Sequence, residues 1–145
     1  MAVTTTISTI MSEAQQILVP VSAGELVDKI TILEIKQQKL QQPEALKNVK
    51  KELALLEEVF NNSADNFPAS TTNKIVDIKR ILETINQKLW DVEDALREHE
   101  KEENFGSKFI KLARSVYKLN DERAKMKRSI NILCGSELIE EKSYS

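Results

Sequence analysis

The sequence predicts an all-α protein: an antiparallel four-helix bundle, or helical hairpins, with two longer C-terminal helices of coiled-coil character. Three observations carry that expectation. The composition is 30% charged and only 5% aromatic, with three glycines and three prolines, a mix that belongs to long helices rather than sheets. Apolar residues recur three and four apart over four separate stretches, the period of one helix face. The breaks between them are short and marked by proline, glycine or cap-forming residues, and short connections make neighbouring helices antiparallel.

The stretch Val21–Lys36, VSAGELVDKITILEIK, organises the rest. Ser22 is placed to cap a helix, Glu25 to close a capping box, and Val21 to staple against Leu26. Helix 1, from about Ala23 to Gln41, is then apolar on nearly every side. Leu26, Ile30, Leu33 and Leu40 form one stripe, Ile32 and Ile35 fall nearly opposite, and Val27 lies to one side. Such a helix belongs between neighbours. Its second stripe, with Asp28, Thr31, Ile32 and Ile35, meets either helix 4 or another subunit, and burial of Ile35 within a single chain decides between them.

Pro43 suits the first turn of helix 2, whose Leu46, Val49, Leu53, Leu56 and Phe60 alternate three and four apart. Asn61–Ser70 reads as the main loop, with Ser70 or Thr71 as the next cap. Helix 3 carries Ile75, Ile78, Leu82, Ile85, Leu89, Val92 and Leu96, an unbroken heptad seam. Asn104-Phe105-Gly106 stops it, with Gly106 suited to the left-handed conformation. Helix 4 starts at Ser107, presents Phe109, Leu112, Val116, Leu119, Met126, Ile130 and Leu133, and ends at Gly135. Residues 1–21 form a flexible arm with a short extended approach, 22–135 a single helical domain, and 136–145 a tail in which Leu138 and Ile139 dock.

At a rise of ~1.5 Å per residue, helices 1 and 2 span about 27–30 Å and helices 3 and 4 about 40–48 Å. The long hairpin therefore overhangs the short one. An overhanging apolar seam calls for a partner, so the sequence predicts a homodimer or other homo-oligomer.

Composition also narrows function. A net charge of −2 gives no general attraction to nucleic acid or to an anionic membrane, and no apolar run approaches the ~18 residues of a membrane span. One cysteine, Cys134, rules out an internal disulfide and fits a reducing, cytoplasmic setting. No signal-peptide pattern opens the chain. His99, in the charged run REHEKEE, reads as solvated, and Cys134 has no second histidine to activate it, so no catalytic residue emerges. The carboxylate pairs Glu25/Asp28 and Asp91/Asp94 have a spacing that can hold Mg²⁺ between facing helices, but such pairs are common by chance in an acidic chain. No metal and no cofactor is called for. Trp90 reads as a core or interface anchor.

Chemistry concentrates on helix 4. Arg123 stands in the apolar face where the heptad wants leucine, and Asn120, Lys127 and Asn131 continue an inward polar line. Two readings stand. In the structural one, Arg123 pairs with Asp28, Glu34 or Glu25 of helix 1 and sets register. In the functional one, Asn120, Arg123 and Lys127 hold an anionic ligand near the start of helix 1, whose dipole adds to the pull. The basic outer face of helix 4 is offset by the acidic end of helix 3, and no aromatic residues interleave it for nucleic-acid stacking.

The opening stretch, LWDVEDALREHE (89–100), FIKLARSVYKLNDERAKMKRSIN (109–131) and EEKSY (140–144) together resemble a family of short bacterial helical proteins with no assigned activity. That family shares a GELVDKITILEIK-type start and an NDxRAxxKRxIN-type later helix. The resemblance covers most of residues 20–144 and singles out Gly24, Glu25, Asp28, Lys29, Glu34, Asn120, Asp121, Arg123, Lys127 and Arg128 as motif positions. Its members often accompany glycan or surface-polysaccharide genes, which implies that pathway.

The sequence therefore points first to a non-enzymatic helical interaction or assembly protein that associates with itself. The alternative is a protein that binds, or an enzyme that acts on, an anionic metabolite such as a sugar-phosphate or nucleotide at Arg123 and Lys127. Its candidate residues, for a ligand or for a buried ion pair, are Glu25, Asp28, Glu34, Asn120, Arg123 and Lys127.

Overall fold

Ser22 begins the first helix as the sequence requires: its hydroxyl oxygen accepts from the Glu25 backbone N–H at 3.2 Å. The computed structural model describes residues 16–136 and 138–143, so most of the expected N-terminal arm lies outside the described residues. These form four α-helices: α1 (Ala23–Lys39), α2 (Pro43–Ala64), α3 (Ala69–Lys101) and α4 (Ser107–Cys134). The approach Ile17–Val21 is non-helical and exposed.

α1 touches all three other helices, while α3 and α4 pack most extensively on each other. Its first stripe faces α2: Ile30 and Leu33 form a buried cluster with Val49 and Leu53, and Leu26, Leu40, Leu56 and Phe60 pack around it. Its other side faces the long hairpin, where Val27 joins Ile75, Leu82 and Ile130 in a second core. Ile35 is 3% exposed. Its burial within one chain answers the question of the second stripe: that stripe meets the hairpin, not another subunit.

Several local expectations need correction. The staple is absent, since Val21 stays exposed while Leu26 packs toward α2. Glu25 does not close a capping box; its carboxylate reaches Lys127 instead. The loop expected over 61–70 is shorter, because α2 runs on to Ala64 and α3 starts at Ala69. Neither Ser70 nor Thr71 caps α3, because Pro68 holds the cap position without a side-chain bond. Proline forces the residue before it out of the helical region, which places the break at Phe67, and that ring is anchored on the hairpin core.

Gly106 is not left-handed; it has φ −75°. Glu103 takes that conformation at φ 51°, with Asn104 N–H donating to His99 O at 2.9 Å and Glu103 N–H to Glu100 O at 3.1 Å. This pairing is a Schellman motif. Gly135 ends α4 in the same way, at φ 62°. His99, expected in solvent, is partly covered: its Nδ1 lies 3.0 Å from Asn104 O and its ring centroid 6.2 Å from that of Phe109.

Helix lengths differ as expected, with 17 residues in α1 against 33 in α3, or roughly 25 Å against 50 Å. Along the α3 seam Ile75 and Leu82 are fully buried and Ile85 and Leu89 nearly so. Beyond Leu89, Val92 and Leu96 are only half-buried, and on α4 so are Phe109, Leu112, Val116 and Leu119. No described residue between Leu89 and Lys127 is buried. That half of the hairpin projects past α1.

Candidate functional site

The polar residues of α1 and α4 meet at the centre of the interface between α1 and the hairpin. Asp28 is completely buried. Its carboxylate accepts Nε and Nη2 of Arg123, with the Nε contact at 2.9 Å, a side-on bidentate pair of the strong charge-assisted kind. Asn86 of α3 supports it, Nδ2 donating to Asp28 Oδ1 at 2.9 Å and to Thr31 Oγ1 at 2.8 Å. Thr31 donates in turn to the Asp28 carbonyl at 2.7 Å. On its other side Arg123 reaches Asn120, Nη1 lying 3.5 Å from Oδ1. The hydrogen bond to Asp28 raises the Arg123 pKa further, against the opposing pull of burial. The guanidinium is a fixed charge.

One turn toward the C-terminal end of α4, Lys127 is held differently. Its ammonium lies 2.7 Å from Glu25 and 2.6 Å from Glu140 of the tail. Burial lowers its pKa, but the hydrogen bonds to Glu140 and Glu25, with the nearby negative charges, outweigh that and the net shift is upward. Gly24 lies directly beneath. A Cβ there would fall 2.2 Å from the Lys127 carbonyl oxygen, so only glycine permits this approach of the two helices. The Gly24 N–H donates to Asn131 Oδ1 at 2.6 Å, a cap supplied to α1 from across the interface. Asn131 Nδ2 is buried without a partner among the described residues.

Five of the six candidates therefore gather in one place: Glu25, Asp28, Asn120, Arg123 and Lys127. Glu34 does not join them. It pairs with Lys79 of α3 at 2.7 Å, because it lies on the flank of α1 nearer α3. Asn86, Lys79 and Glu140 are partners not singled out in the sequence. For Asn86 and Lys79 a signal exists, since they stand seven residues apart beside the apolar seam. Glu140 lies in a non-periodic tail, where its one signal is the EEKSY stretch of the family resemblance. The tail is fastened by charge rather than by Leu138 and Ile139, which stay exposed: Glu140, Glu141 and Lys142 pair with Lys127, Arg128 and Asp121.

Arg123 also borders a cavity of about 460 Å³. α1 contributes Ile32, Ile35 and Lys36, α3 contributes Asn86, Leu89, Trp90, Glu93, Asp94 and Arg97, and α4 contributes Asn120 and Arg123. Lys127 lines only a smaller space of about 50 Å³ under the tail. Trp90, expected as an anchor, is half-buried on the cavity wall. Among the described residues no three His, Cys, Asp or Glu side chains converge as a metal-holding group. No described helix is long and apolar enough to cross a membrane. Burial pushes the Cys134 thiol up, away from the reactive thiolate.

A protein-family model for a family of unknown function, DUF6165, matches residues 17–145. This agrees with the resemblance in its coarse form, a domain without an assigned activity. No curated protein and no solved structure was found to match.

Proposed function

The chain belongs to DUF6165, a family of unknown function, and from that premise we propose that it is a non-enzymatic assembly module that pairs with a second copy of itself. Pairing runs through the overhanging half of the α3–α4 hairpin. The observation that carries this reading is the fading of burial along a continuous seam: Leu82 and Ile130 are fully buried, while Leu96, Leu112 and Val116 are only half covered. Phe105, Ile110 and Tyr117 add exposed apolar surface at the same end. Half-covered apolar residues that run in line along the seam mark an interaction site, whereas Ile110 lies on the far side of α4 with Lys111, Arg114 and Lys118.

The charge pattern favours a second copy over an unrelated partner. In the overhang α3 carries Asp91, Asp94 and Glu98 on its outer face, and α4 carries Lys111, Arg114 and Lys118 on its own. A two-fold axis brings α3 of each copy beside α4 of the other, so that helices of opposite charge are neighbours as the seams join in a coiled-coil-like four-helix contact. A reducing, cytoplasmic setting accords with the single cysteine.

Light scattering on the full chain over rising concentration tests this. A mass of twice 16.5 kDa is expected, with Leu112→Asp and Val116→Asp returning the single-chain mass at unchanged helicity. A single-chain mass at every concentration, or variants that still pair, would sink the reading.

The second reading, an anionic metabolite held by Arg123 and Lys127, is favoured by the cavity beside Arg123. Set against its sugar-phosphate or nucleotide form, Lys127 is already flanked by Glu25 and Glu140 and Arg123 by Asp28. These pairs support a structural role for most of the polar line.

A further inference from the structure

The cavity between the end of α1 and the root of the overhang has a chemistry of its own, independent of whether the hairpin pairs. A guanidinium carries five N–H donors. In Arg123, Asp28 takes the Nε edge and one Nη2 donor, and Asn120 takes one Nη1 donor at 3.5 Å. One N–H on each terminal nitrogen is left to meet the oxygens of a carboxylate. The side chain retains 26% exposure and lines the cavity. Asp28, Asn86 and Thr31 behind it hold the guanidinium in place before any ligand arrives, which lowers the ordering cost of binding.

The other walls define the rest of the ligand. Ile32, Ile35, Leu89 and the Trp90 indole supply an apolar surface suited to a ring or aliphatic body. Arg97 is flanked by Glu93 at 3.5 Å and Asp94 at 3.6 Å, which offset its charge. Those two carboxylates offset both Arg97 and the other wall cation, Lys36, so these walls add no net positive charge to draw in a doubly charged group. The volume of about 460 Å³ falls within the ~300–1,000 Å³ usual for small-molecule sites.

We propose that this cavity binds a small monocarboxylic acid, its carboxylate on the outer edge of Arg123 beside Asn120 and its apolar body against Trp90.

Trp90 is the chain's only tryptophan, so its emission reports on the cavity directly. The full chain is titrated with benzoate, with the neutral analogue benzamide and with inorganic phosphate, while light scattering follows the mass. Benzoate is expected to shift Trp90 emission saturably and to raise the melting temperature, without changing the mass. Benzamide and phosphate should do neither. Arg123→Leu strands Asp28 and risks unfolding, so the variant of choice is Asn120→Asp. It sets a carboxylate beside the binding edge, leaves the Asp28 pair intact, and should weaken benzoate about tenfold or more. The proposal is overturned by no saturable response to benzoate, by an equal response to benzamide or phosphate, by an undiminished response in folded Asn120→Asp, or by an emission change that merely tracks a change in mass.

Discussion

Between Ile75 and Leu89 the α3 seam is buried beneath α1 at every position but half-covered Ile78, whereas from Val92 to Leu96 the same three-and-four spacing runs on only half covered. α4 shows the same change in reverse, from half-covered Phe109 and Leu112 to fully buried Ile130. The two halves differ little in sequence pattern. They differ in having a third helix. Two helices side by side leave an open groove along their apolar seam, and it takes another element to close it. α1 closes the lower half and stops at Lys39. It also brings the polar core with it: Asp28 meets Arg123 and Asn86, and Gly24 meets Asn131. The lower half is thus specified by hydrophobic burial and a satisfied ion pair, whereas the upper half leaves its seam half covered.

The strongest way to break this contrast is to strike the ion pair. Arg123→Ala leaves Asp28 charged and buried without its partner, which should remove about 3–5 kcal/mol of stability. Replacing both residues by leucine should recover most of that loss. Urea unfolding of the three proteins checks it, and an Arg123→Ala variant as stable as the parent would contradict the role assigned to the pair. Next comes a matched truncation in each half. Leu82→Ala in the closed half should cost about 3–4 kcal/mol, whereas Leu112→Ala in the overhang should cost about 1 kcal/mol or less in the single chain. Equal losses would erase the distinction.

Two smaller effects sharpen it. Lys127 has a raised pKa in the folded protein, so the folded state holds its proton more tightly than the unfolded state. Its stabilisation is full below the ordinary lysine value of 10.5 and is lost as pH rises through the folded value. Chemical unfolding from pH 7 to 11.5 should show this alkaline loss in the parent and a flatter profile in Lys127→Met. Glu103 holds the left-handed position at the tip, where glycine is free of the penalty for a side chain. Glu103→Gly should stabilise by about 1 kcal/mol, read in the same unfolding assay.

Much of the lower half was legible in the sequence. The split of α1 into a stripe for α2 and a second for the hairpin follows from helical spacing, and the arginine standing in place of leucine at 123 pointed to an acid of α1. Spacing could not say which acid. Asp28 rather than Glu34 was settled by the way α1 lies across the hairpin, which brings Glu34 to Lys79. Asn86 escaped because an asparagine beside a heptad seam reads equally well as a surface residue until its partner is seen. The tip and the tail were hardest, since both depend on few local signals. A glycine at 106 suggested the left-handed cap, but the Schellman bonds close three residues earlier, at Glu103. Leucine and isoleucine at 138 and 139 suggested docking, yet the surface that the tail crosses is charged, and Glu140, Glu141 and Lys142 make the contacts.

The most direct test of the unclosed half is backbone amide hydrogen exchange followed over rising protein concentration. Amides from Val92 through Leu119 should slow as the concentration rises, while those of Ile75–Leu89 and the last two turns of α4 should already be slow and stay constant. Exchange in the overhang that is as slow as in the lower half and independent of concentration would show the upper half to be complete in a single chain, and would contradict the account.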